Sequence, residues 1–189
     1  MPRKGKRRSR SDEEHSHLAI RVERHEASVE AGINHNVYAP QSALDLDETD
    51  PLHEYTSRLL IFGTAIDPPH RAGEPYEITV YGEDDRTRRM RATLADVQAR
   101  NEFGTPQYRP YRGRHIPVFR PPGGLGLLDK VRGERRWTAA IFVTSGFVSD
   151  ALALLARGDP LFVAIHECRT ERARWVRRLT LQTTDPQVE

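Results

Sequence analysis

Between Leu18 and Val22 apolar side chains recur at every second position (Leu18, Ile20, Val22). The same period returns at Tyr76, Ile78 and Val80, with Glu77, Thr79 and Tyr81 in the other phase. A period of two marks a strand with one buried face. LAIRVERHEASVE is therefore predicted to be a strand, and YEITVYG a half-buried one. SRLLIFGTAID is a short apolar run, and the turn-rich DPPHRAGEP joins it to YEITVYG as a hairpin with a wide loop. RWTAAIFVT reads as the clearest buried strand, and PLFVAIHEC and ARWVRRLTLQTT as two more, split by a charged turn.

Helical spacing is confined to a few places. Val148, Ala151, Leu152 and Leu155 stand at i, i+3, i+4 and i+7, with Ser149 as N-cap and Gly158 as the left-handed terminator. This predicts a helix over 149–157 that buries Leu152 and Leu155 against a strand at 138–143. TLADVQARN predicts a second, short helix, with Thr93 as N-cap and Asp96 three positions on. RHIPVF reads as a strand that Pro117 confines to an edge or bulge. NHNVYAPQSALDLDETDP has no periodicity and reads as a linker. Strands and helices do not alternate, which argues against a doubly wound parallel sheet and for a small antiparallel barrel or sandwich with a helix packed on it.

Composition sharpens this picture. The 189 residues suffice for one core, yet only 37% are hydrophobic and 30% are charged, so part of the chain is expected to stay unpacked. Residues 1–16, with Arg3, Lys4, Lys6, Arg7, Arg8 and Arg10, predict a disordered basic arm. The domain layout that follows is a tail at 1–16, an extended arm or linker with a strand at 17–51, a β-rich domain at 52–184 and a tail at 185–189. The net charge of +2 averages over clusters, and clusters are what attract polyanions. One cysteine, Cys168, permits no internal disulfide, and no apolar run reaches the ~20 residues of a membrane span, so a cytoplasmic location is expected.

Catalytic and metal patterns are sparse. No CxxC, HxxxH or HExxH occurs; HSH (His15, His17) falls in the predicted tail, and HEC (His166, Cys168) is a strand tripeptide whose plain reading is a half-exposed histidine beside a small buried thiol. Cys168 has Arg169 beside it but no thiol-enzyme signature, and no GxSxG is present. PPGGLGLLDK lacks the Gly-Lys-Ser/Thr end of a phosphate loop and reads as a flexible turn. No metal, no cofactor and no catalytic residue are expected, and the chain reads as a non-enzyme.

Basic residues interleaved with aromatics are the remaining signal. From Asn101 to Arg136 eight cations stand against three anions, with Tyr108, Tyr111 and Phe119 among them. From Arg169 to Arg178 five arginines surround Trp175, with Glu171 as the one anion. Single-strand binding needs this mixture, because cations follow phosphates and exposed rings stack on bases. The candidate contacts are Tyr108, Arg109, Tyr111, Arg112, Arg114, Arg120, Arg174, Trp175, Arg177 and Arg178. The plain alternative makes Trp175 a core residue and the arginines a solvated surface.

Two stretches resemble the bacterial single-stranded-DNA-binding protein family. LLIFGTAIDPP is similar to its first strand, with Gly63, Asp67 and Pro68 in place, and ALALLARGDPLFVAIHECRTERARWVRRLTLQT to its later helix and final strands, through Arg157, Gly158, Asp159, Leu161 and Val163. RWTAAIFV is similar to its tryptophan-bearing strand. The resemblance spans Ser57 to Thr183 around an unmatched Pro-rich middle, and DPQVE departs from the acidic, aromatic-ended tip through which that family recruits partners. It implies an OB-fold. The expected fold is thus mainly β with one or two helices, an OB-like antiparallel barrel behind a disordered basic arm. The expected function is non-catalytic binding of single-stranded DNA or RNA. The second reading, from another class, is an assembly component that grips an acidic protein partner. Neither involves a membrane, and both leave homo-oligomers open.

Overall fold

The computed structural model describes residues 13–33, 52–83, 90, 92–171 and 173–186. Its strands are β1 (Glu14–Ile33), β2 (His53–Asp67), β3 (Pro75–Glu83), β4 (Tyr108–Tyr111), β5 (Arg114–Pro117), β6 (Gly126–Lys130), β7 (Trp137–Thr144), β8 (Phe162–Arg169) and β9 (Arg174–Gln182). One helix, α1 (Ser145–Leu155), follows β7. The fold is mainly β. Seven strands close into an OB-like barrel in the order β1-β2-β3-β7-β6-β9-β8, and β4 and β5 form a separate two-stranded sheet. Neighbours run antiparallel except β3 and β7, which are parallel.

The period of two does what the sequence predicts. Leu18 and Ile20 of β1, Leu59 and Ile61 of β2, Ile78 and Val80 of β3, Ile141 of β7 and Val163 and Ile165 of β8 point inward and are buried. Each such side chain contributes on the order of 1.5–3 kcal/mol of hydrophobic stabilisation. The predicted β2–β3 hairpin forms, from Ser57 opposite Gly82 to Thr64 opposite Pro75.

β1 corrects the predicted layout. The residues assigned to tail and arm supply a 20-residue strand that belongs to the barrel. Its first part, Glu14 to Arg21, pairs with β8 and thereby closes the barrel, and Ala19 to Ile33 pairs with β2. Register shifts at Ala19/Ile20 and Val22/Arg24 bend the strand from one partner to the other. Of the residues predicted to be disordered, 13–16 are described, and Glu14 to Ser16 are paired with β8; the strand is exposed from Glu23 onward. The basic arm at 1–12 and the linker at 34–51 lie outside the described residues, as do 187–189 of the predicted tail; Asp185 and Pro186 are half-buried.

The helices differ from expectation in two ways. α1 starts earlier, because Thr144, not Ser149, is the cap: its side chain accepts from Phe147 N, while Ser149 donates to Ser145 O within the helix. α1 also ends earlier, at Leu155 with Ala156 as its C-cap, and Gly158, at φ 74°, follows two residues beyond the cap. No helix forms over TLADVQARN. The predicted Thr93–Asp96 bonds are present, at 2.6 and 2.9 Å to the Asp96 carboxylate. Beyond them Gln98 and Arg100 enter β-bridges with Phe119 and Pro106, and sheet pairing takes the backbone donors a helix would need.

α1 covers one end of the barrel, packing on β2, β3 and β7. Gly82 permits this approach: a Cβ there would strike Ser57 Oγ and stand 2.9 Å from Val148 Cγ2. Val148, Ala151 and Leu155 are buried, and Leu152 packs at the margin. Leu155→Ala is expected to cost about 2–5 kcal/mol and Leu152→Ala clearly less, measured by urea unfolding. Equal losses would show that the helix docks on another face.

Candidate nucleic-acid interface

The β4–β5 hairpin is made by its turn. Arg112 and Gly113 both have positive φ, 48° and 75°, which is the two-residue reversal that matches strand twist. Tyr108 pairs with Pro117, Arg109 with Ile116, Pro110 with His115 and Tyr111 with Arg114. Alternation then sorts the side chains into two faces. Arg109, Tyr111, Arg114 and Ile116 share one; Tyr108, Pro110, His115 and Pro117 share the other. Tyr108 and Tyr111 are 57% and 53% exposed. Arg112 lies 5.4 Å from the Tyr111 ring centroid. Arg120 is exposed just past β5, its backbone held by a 2.7 Å bond to Val97 O. Among the described residues no carboxylate pairs with Arg109, Arg112, Arg114 or Arg120.

Of the other cations of the basic middle, Arg132 and Arg135 pair with no carboxylate among the described residues, whereas Lys130 and Arg136 are paired. Lys130 reaches Glu74 at 3.0 Å, and Arg136 reaches Glu77 at 2.7 Å and Glu134 at 3.2 Å.

The β9 residues do not join the hairpin. Arg174 turns into the barrel end opposite α1, where its Nη1 donates to Glu167 Oε1 at 2.6 Å. Arg71 Nη1 donates to the other oxygen of Glu167, also at 2.6 Å, and Arg71 Nε to the Tyr76 hydroxyl at 2.8 Å. The Arg71 guanidinium lies 4.3 Å and that of Arg174 5.1 Å from the Trp137 ring centroid. Trp137 Nε1 donates to Glu74 Oε2 at 2.7 Å. Glu167 is fully buried and Arg71 nearly so. Burial outweighs the nearby Arg71 charge and pushes the Tyr76 phenol far above its ordinary range, so it stays neutral. Partial burial would raise Glu74, but hydrogen bonds from Lys130 and Trp137, with the charges of Lys130 and Arg71, hold its carboxyl below the usual range. This is a structural plug.

Arg177 occupies a bulge between the Val176–Glu167 and Arg178–His166 pairs, and its guanidinium approaches Glu13 at 3.6 Å and Cys168 Sγ at 3.9 Å. Arg178 is exposed on β9 opposite His166. Trp175 is half-buried on the outer face of the barrel. The backbone at Gly123 lies against its indole so closely that a Cβ there would strike the ring. Of the glycines read as a flexible turn, Gly123 and Gly124 lie against Trp175, and Gly126 opens β6 against Ala140. With Leu125, Leu127, Ala140, Phe142 and Met90, Trp175 lines an apolar hollow of about 390 Å³.

Sequence reasoning missed the plug, although a signal exists: Glu167 occupies the same inward phase as Val163 and Ile165. Removing one member of a buried ion cluster leaves its partners uncompensated, at about 3–5 kcal/mol. Glu167→Gln is therefore expected to lower the urea midpoint far more than Glu134→Gln, which loses only an exposed pair.

Among the described residues no helix is long and apolar enough to cross a membrane. No protein-family model, curated protein or solved structure matches the chain, and the reading of this surface rests on its own geometry.

Proposed function

We propose that this chain is a non-catalytic nucleic-acid-binding protein, single-stranded DNA or RNA first, and that the β4–β5 hairpin is its contact element. The observation that carries this is the pairing of two exposed tyrosines with four arginines that no described carboxylate neutralises. Arg109 and Arg114 flank Tyr111 on one face, so a base stacked on that ring would have phosphate partners on either side. Arg112 at the tip and Arg120 at the base extend the charge along the strand path. Tyr108 offers a second ring on the opposite face. Arg174 and Arg177 are held by Glu167 and Glu13, and their part is structural. An OB-like barrel suits such a role, since side chains fill its interior and ligands meet its exterior.

A second reading has one observation in its favour. Trp175 sits in the apolar hollow, apart from the hairpin sheet, as an assembly component with an acidic protein partner would have it.

Electrophoretic binding with single-stranded, duplex and heparin competitors at two salt levels separates the two. Affinity for oligonucleotides should fall linearly on a log–log salt plot, and Arg109→Ala or Arg114→Ala should each flatten the slope by about 0.7 for single strands. Tyr111→Ala should cost about 1–3 kcal/mol of binding with unfolding unchanged. Salt-independent affinity, or hairpin variants that bind as well as the parent, would overturn the proposal.

A further inference from the structure

The barrel seam brings together two tripeptides that lie far apart in the chain. HSH at 15–17 pairs antiparallel with HEC at 166–168, so that His15 faces Cys168 and His17 faces His166. Ser16 and Glu167 take the alternate phase, and Glu167 points inward. The pleat therefore places His15, His17, His166 and Cys168 on the outer face of β1 and β8. Glu13 lies one residue before β1 begins.

The ligand atoms converge. One donor atom each from Glu13, His15 and Cys168 lies within 4.8 Å of the others. His15 Nδ1 stands 3.2 Å from His166 Nε2. His166 stands outside that trio and is hydrogen-bonded to His15; two nitrogens bound at about 2.0 Å to one tetrahedral ion stand about 3.3 Å apart, so this hydrogen bond has a length that two ligands on one ion can keep. His17 stacks on His166 with ring centroids 4.8 Å apart and fixes its plane. His15 and Glu13 are about half exposed, and Glu13, which also reaches Arg177 at 3.6 Å, would exchange part of that contact for the ion, whereas Cys168 is fully buried.

We propose that Glu13, His15, His166 and Cys168 form a binding site for a Zn²⁺-class divalent ion that clamps β1 to β8. A thiolate, imidazoles and a carboxylate form a borderline-soft set that suits Zn²⁺ and Co²⁺, in contrast to the oxygen cages of Mg²⁺ and Ca²⁺. Charge balances as well. The thiolate and the carboxylate together cancel the divalent ion, so the site tolerates Arg177, whose guanidinium remains a donor toward Sγ. Binding releases the thiol proton to solvent, and the ring whose N–H bridged His15 and His166 carries its proton on the other nitrogen, so that both imidazoles stay neutral. The site is independent of the hairpin and of its proposed ligand.

The test uses the untagged full chain, titrated with Co²⁺ and then Zn²⁺. One ion per chain is expected, with a near-ultraviolet thiolate-to-cobalt band that Zn²⁺ abolishes and a melting temperature raised by Zn²⁺. Cys168→Ser should remove the band. His15→Ala and His166→Ala should each weaken Zn²⁺ binding by more than about 100-fold, beyond the usual loss from an outer-shell residue. His25→Ala, exposed further along β1, should bind as the parent does. Should Cys168→Ser fail to fold, the exposed His15→Ala decides the matter with the parent spectrum. Absence of stoichiometric binding, a band that survives Cys168→Ser, or equal weakening by His25→Ala would overturn the proposal.

Discussion

Glu167, buried between Arg71 and Arg174 at 2.6 Å from each, is the interaction on which the barrel depends at its open end. A carboxylate without solvent is tolerated only where donors replace water, and here both oxygens are taken. The cluster ties the β2–β3 loop, through Arg71, to β8 and β9, and stacks guanidinium planes on Trp137. α1 closes the other end with aliphatic side chains. One barrel thus has an apolar plug and an ionic plug. The two ions of opposite sign and the excess guanidinium make the second one specific about geometry, since a shifted strand would strand a buried charge.

This arrangement divides the arginines by role. Those whose positions alternate into the barrel are consumed by structure. Arg174 is the example, and the five-arginine cluster of the last hairpin therefore overstates the free charge on that face. The arginines of the Pro-rich middle sit on a two-stranded sheet with no core of its own, and there the charge stays available. Local backbone chemistry supports it: a positive φ at Arg112 and Gly113 sets the reversal, and Pro110 and Pro117 stand in edge strands where a missing donor costs little.

The seam between β1 and β8 shows the limit of spacing rules. Metal motifs are read as ligands a few residues apart, and neither HSH nor HEC satisfies one. Each does place two ligand side chains on one face of a strand, since i and i+2 point the same way. The missing information was the register, His15 against Cys168 across more than half the chain. Likewise Trp175 looked like a stacking residue beside arginines, and its partner proved to be the glycine backbone at Gly123.

The strands β1, β2, β3, β5, β7, β8 and β9, the β2–β3 hairpin, Pro117 at an edge and the mainly β class follow from the sequence, because local periodicity and backbone sterics decide them within a few residues, whereas β4 was not foreseen and β6 lies in PPGGLGLLDK, read as a flexible turn. The role of β1, the helix start at Thr144, the loss of the predicted helix after Thr93 and the fate of each arginine were set by tertiary structure. Each of these turns on which distant group supplies a hydrogen bond or a countercharge. Pairing across a barrel seam is a long-range choice that no short window contains.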